Sequence, residues 1–287
     1  DSSVATVDKN GLVTFHVASG KVKILVGLAS DTFNLKEVWF TSGSFKAPSG
    51  SNAQLLNHMR DTVNVIKTLK DVPGLTRYEA TTMSNFSTTA DKEIASSLQS
   101  MFNNDLKPKT TYLSAVPATT PTSDYITLRN QFLDNVPVKG QGHVIDKSLT
   151  DADIKEIKVI DNGDYYYEMK LTLKEETFSA LPSVTSPGRH GKVFDVLTQE
   201  HIDKVLNKLN GSGQVSMTYS AFTQKYHDCT VTFGINKITN NIEFANYDMN
   251  LDVKVSNLTL KVTGMSTKMD VSFNCNNIIN IDFATYK

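Results

Sequence analysis

The chain of 287 residues, 39% hydrophobic and 21% charged, is long enough to bury a sizeable core and lies far from the composition of disordered proteins. Its 29 basic and 30 acidic residues leave a net charge of -1, which argues against nucleic acid as the partner. No stretch approaches the roughly 18 apolar residues of a membrane-spanning helix, and two cysteines cannot build a disulfide scaffold.

The first residue is Asp1, which fits either a trimmed chain or a mature protein whose export signal has been removed; the second sets the expectation of an extracytoplasmic location. In residues 1–30 two β-rich runs, VATVDKNGLVT at 4–14 and ASGKVKI at 18–24, frame a hairpin around Asn10-Gly11, a dipeptide that accepts the positive φ of a tight turn. These runs resemble the later strands of bacterial Ig-like domains of group 2. The resemblance implies a cell-surface or secreted setting, with the hairpin either cut from such a domain or joined to the main sheet. Residues 31–51, punctuated by Gly, Ser and Pro from 41 onward, read as a linker, and 52–287 as the main domain.

Ser51 and Gln54 have capping-box spacing, and Leu55, Leu56, Met59, Val63, Ile66 and Leu69 make one apolar stripe, so a helix is expected over 52–70, ended by Pro73-Gly74. Residues 75–86 look extended. Thr88 and Asp91 then open a short helix carrying Ile94, Leu98, Met101 and Phe102. From 107 to 137 four prolines (Pro108, Pro117, Pro121, Pro137) break any long element, which predicts an exposed loop with a short helical turn at 124–133. Thr150 and Asp153 signal a third capped helix over 150–157.

The remainder has a strand grammar. Tyr165, Tyr167, Met169, Leu171 and Leu173 alternate with polar residues after a turn at Asn162-Gly163, and a helix with Ile202, Val205, Leu206 and Leu209 on one side is expected over 198–209. Strands follow at 214–219, 229–235, 242–255, 258–263 and 268–283, with turns at Asn240-Asn241, Ser256-Asn257 and Gly264. The fold class is therefore α+β: a curved, largely antiparallel sheet of long strands packed on two or three amphipathic helices. In element order it is similar to tubular lipid-binding domains and half-barrel lipoprotein carriers, which implies an acyl-chain groove. Leu149-Thr-x-x-Asp153 and the closing β-meander resemble secreted or lipid-anchored proteins of Gram-positive bacteria, a family whose likeness implies no activity.

No residue pattern supplies catalysis. On a regular strand His227 and Cys229 share a face and Asp228 opposes them, so Tyr226-His227-Asp228-Cys229 cannot form a local relay. The six histidines lack zinc-site spacing, Asp146, Asp151 and Asp153 lack the Gly and Glu of a calcium loop, and Gly140-Gln141-Gly142 lacks the third glycine of a dinucleotide loop. No cofactor is expected. Cys229 and Cys275 fall on the apolar phases of their strands and are expected to form a disulfide. The resulting expectation is a non-enzymatic extracytoplasmic protein that holds a lipid or other apolar ligand in a groove between the sheet and helix 52–70 or 198–209, lined by Met59, Met169, Met217, Tyr219, Phe233, Met249 and Met269. The alternative is a cell-surface adhesion, scaffold or carbohydrate-contact module.

Overall fold

The computed structural model describes residues 45–161, 165–211, 215–262 and 265–284. The hairpin expected at 1–30, most of the 31–51 linker, and the turns at Asn162-Gly163 and Gly264 lie outside the described residues. The chain divides between Lys46 and Ala47, inside the Gly/Ser/Pro stretch, and the unit from Ala47 onward is described by itself.

Its α-helices are α1 (Asn52–Val63), α2 (Lys92–Asp105), α3 (Thr122–Asn135) and α4 (Gln199–Asn210). Its strands are β1 (Leu75–Thr88), β2 (Lys109–Leu113), β3 (Ile154–Ile160), β4 (Tyr166–Leu173), β5 (Glu176–Phe178), β6 (Val215–Thr218), β7 (Ala221–Asn236), β8 (Ile242–Val262) and β9 (Met265–Phe283). Among the described residues all nine strands join one antiparallel sheet in the order β2-β1-β9-β8-β7-β4-β3, with β5 paired to β7 and β6 to β8. This is the α+β architecture read from the sequence.

Strand alternation sorts the sheet into two faces. Tyr167, Met169, Leu171 and Leu173 of β4 are buried, as the period-two pattern demands. Neighbouring strands match them in register: Met169 opposes Phe233 of β7, which opposes Ala245 of β8. The buried side chains form a single core with Leu55, Leu56, Met59 and Val63 of α1. That helix starts where expected, because Ser51 and Gln54 complete the capping box and satisfy two otherwise orphaned backbone donors. It is seated by polar contacts as well: the Asn64 carboxamide oxygen accepts from the backbone N–H of Val144 and Ile145, both at 2.8 Å. Full burial of a side chain such as Met59 contributes roughly 1.5–3 kcal/mol.

Three bulges bend the long central strands. The register shifts between Ser84 and Ser87, between His227 and Thr230, and between Val255 and Leu258, and each shift contains an Asn or Asp at positive φ: Asn85, Asp228 and Asn257. Short polar side chains tolerate that left-handed conformation, and the extra residue adds local twist. The Ser256-Asn257 turn expected between two strands is thus a bulge inside the continuous 21-residue β8. A fourth shift lies beside Gly234, where an added Cβ would sit 2.1 Å from the Phe244 ring, so only glycine lets that ring lie across the strand.

Two further expectations are corrected. The Thr150–Asp153 capping box exists, yet it caps one 3-10 turn, Asp151–Asp153; the alternation of Ile154, Ile157 and their polar neighbours then carries the backbone into β3. The proline-punctuated segment holds β2 and the 14-residue α3. Pro121 lies immediately before α3 and does not interrupt it, because a proline at a helix start removes only a donor that would be orphaned anyway.

Candidate ligand-binding groove

The structure places the expected ligand residues mainly in the core. Met59, Met169, Phe233, Met249 and Met269 are buried members of the one hydrophobic cluster, while Met217 and Tyr219 pack half-buried against it. The Tyr219 hydroxyl accepts a 3.0 Å hydrogen bond from the side-chain amide of Gln199. The thioethers fill space between sheet and helices, and none of the seven lines either of the two clefts described below.

The disulfide does not form; both cysteines are free. Cys229 lies on β7 and Cys275 on β9, and β8 runs between them. Two strand spacings are about 9.5 Å, beyond the roughly 7 Å Cα separation that a disulfide can bridge. Burial pushes the two thiols up, to about 12 and about 11, which makes them poor nucleophiles. The bulge at Asp228 also overturns the expected face assignment. Inserting one residue puts Tyr226 and Cys229 inside, while His227 is partly exposed and lies 3.4 Å from Asp228 and 3.3 Å from Asp252. Thiol and imidazole are therefore on opposite faces. Among the described residues no group of three or more His, Cys, Asp or Glu side chains is placed to hold a metal ion.

Two clefts among the described residues lie along a seam the sequence concealed. Among the described residues β2 is an edge strand, paired on one side only, with Leu75 opposite Leu113, Arg77 opposite Thr111 and Glu79 opposite Lys109. Lys109, Thr111 and Leu113 share one face of it. Leu128, Gln131, Phe132 and Asn135 recur on α3 at intervals of three, one and three, which places them on one helical stripe. That stripe and that strand face line both clefts. One has a volume of about 340 Å³ and is mainly apolar, walled by Val72, Leu113, Val116, Leu128 and Phe132, with Tyr112 at its rim. The other, about 170 Å³, is polar and lined by Arg77, Glu79, Lys109, Thr111, Asp134, Asn135 and Lys139. Because β2 and α3 contribute to both, the clefts lie end to end along a seam that spans about 13 Å of strand.

Polar anchors hold α3 in this position. The Arg129 guanidinium donates to the carbonyls of Lys67 and Leu69, both at 2.8 Å, and the Tyr125 hydroxyl donates to the carbonyl of Lys70 at 2.6 Å. Phe132 drives inward against Phe283, with ring centroids 6.4 Å apart. At the polar end the Arg77 side chain is almost fully buried and donates to Glu79 at 2.8 Å and to the carbonyl of Asn135 at 2.9 Å, so strand and helix are bridged by one cation. Behind it Lys67 is buried, with its ammonium on the carbonyl of Val138 at 2.6 Å. Burial drives that ammonium down to about 7 against the opposing pull of Asp195 and Asp134.

Sequence reasoning missed this seam because its strand has five residues and its helix a weak apolar stripe. The available signal was the spacing of Leu128, Phe132 and Asn135 behind Pro121. The chain matches no family model, and no curated protein or solved structure matches it.

Proposed function

We propose that the chain is a non-enzymatic, extracytoplasmic binding protein that holds an apolar ligand in the groove between β2 and α3. The observation that carries this reading is the apolar cleft of about 340 Å³ between an edge strand and a helix, a size within the range of small-molecule sites. Tyr112 is 74% exposed at its rim and Leu128 is 37% exposed, so apolar surface is presented to solvent where a ligand would cover it. The buried, weakly acidic thiols and the separation of Cys229 from His227 favour binding over catalysis. The resemblance of the sequence at 4–24 to strands of Ig-like domains supports a location outside the cytoplasm, to be checked by fractionating cells that produce the protein.

The test is titration of the whole chain with 1-decanol, followed by calorimetry. Saturable binding is expected, with loss of roughly tenfold or more in affinity on Leu128→Asp, which sets a carboxylate against the ligand. Absence of binding by the unaltered chain would sink the reading.

A second reading has its own support. On β1, β8 and β9, Asn276 donates to Asp248 at 2.6 Å and to Asn250 at 3.0 Å, Asn274 donates to Asp252, and Asn85 donates to Asn274 at 2.7 Å. Such a fixed array of amides and carboxylates suits a contact surface for hydroxyl-rich glycans or a surface partner. Binding to soluble polysaccharides that is lost on Asn276→Leu, with decanol binding absent, would favour it.

A further inference from the structure

We propose that the polar cleft at the far end of the same seam receives an anionic head group, so that the ligand is a single-tailed amphiphile with its chain between Leu113 and Leu128 and its head beside Arg77 and Lys109. This rests on the apolar-groove reading above and deepens it.

The argument is the order of residues along the two walls. On β2 the shared face runs Lys109, Thr111, Leu113, from cation to hydroxyl to hydrocarbon. On α3 the stripe runs the opposite way along the chain, Leu128, Gln131 and Phe132, then Asn135, from hydrocarbon to amide. The two elements therefore present apolar groups together at one end and polar groups together at the other. Neither wall is uniformly apolar, as a pocket for a pure hydrocarbon would be.

Charge decides the sign of the head. The polar cleft is lined by three cations, Arg77, Lys109 and Lys139, against two carboxylates, Glu79 and Asp134. Arg77 and Glu79 offset each other at 2.8 Å, Lys139 lies 3.6 Å from Asp195, and Asp134 acts on the buried Lys67 ammonium. Lys109 is exposed and makes no ion pair among the described residues, which leaves an ammonium available at the mouth of a cleft whose floor is a buried guanidinium. Arg77 is held by the Asn135 carbonyl and Glu79, so its planar fork is fixed before any ligand arrives. Carboxylate and phosphate share the chemistry that this arrangement recognises.

The experiment compares 1-decanol, decanoate and decyl phosphate on the whole chain by calorimetry at low ionic strength. Decanoate, decyl phosphate or both are expected to bind about fivefold tighter than decanol, and the tighter of the two names the head group. Lys109→Gln is expected to cut that preference to about twofold or less, whereas Lys158→Gln on distant β3 leaves it intact. Decanol binding with no preference for either anion would overturn the anionic head while leaving the apolar groove standing. Failure of all three compounds to bind would remove both.

Discussion

At the scale of single residues, two ionisable groups make stability rise with pH in two different windows. Lys67 is more readily deprotonated folded, near pH 7, than as an ordinary exposed lysine near 10.5. Between those values the folded state holds fewer protons than the unfolded, so stability rises with pH across that window, on the order of 1.4 kcal/mol per unit at most. Urea unfolding at pH 7, 8.5 and 10 should show this rise, and Lys67→Met should flatten it. Glu176 acts with the same sign in an acidic window. Burial alone would raise its carboxyl, but hydrogen bonds from the His190 ring at 3.0 Å and from the backbone N–H groups of Arg189 and His190 at 2.9 Å each outweigh it and hold the carboxyl below its usual range. Its contribution is present above the ordinary carboxylate pKa and is lost as pH falls below it. Glu176→Gln should therefore narrow the stability difference between pH 6 and pH 3, measured by the same unfolding curves.

At the scale of elements, the positive-φ bulges make a sharp contrast available. Asn257→Gly keeps the backbone N–H that donates to Asp270 at 2.8 Å and fits the left-handed conformation, so its cost should be within about 1 kcal/mol. Asn257→Val, branched at Cβ, should cost about 1–2 kcal/mol in chemical denaturation. The same bulges explain how far the sequence could be read. Period-two alternation located β4 and β7 through β9, and the capping box located α1, because those signals are local and repeat. A bulge breaks the period by one residue, which is why Asn257 looked like a turn and why Cys229 was assigned to the face of His227. The seam between β2 and α3 was illegible for a different reason: its walls are joined by tertiary contacts, such as Arg129 to the carbonyls of Lys67 and Leu69, that have no counterpart in local spacing. Strand order was equally hidden, and it decides the thiol chemistry. With β8 between Cys229 and Cys275, alkylation of denatured protein without reductant should add two groups per chain by mass, while the folded protein at pH 7 should take up far less in the same time.

At the scale of the whole unit, β9 lies inside the sheet, between β1 and β8, although it comes last among the described strands. Leu75 pairs with Phe283, more than two hundred positions away. A pairing of that separation closes a long loop before it returns any contact energy, so folding should be slow for a unit of this size. Until β9 has been synthesised, β1 can pair only with the five residues of β2, and β8 presents one unsatisfied edge along its length. Ribosome-bound chains that stop before Met265 should accordingly be cleaved rapidly by added protease, and chains extended past Phe283 should resist. Synthesis order and sheet order thus run against each other within the unit: among the described strands, the one that emerges last is the one that pairs with the one that emerges first.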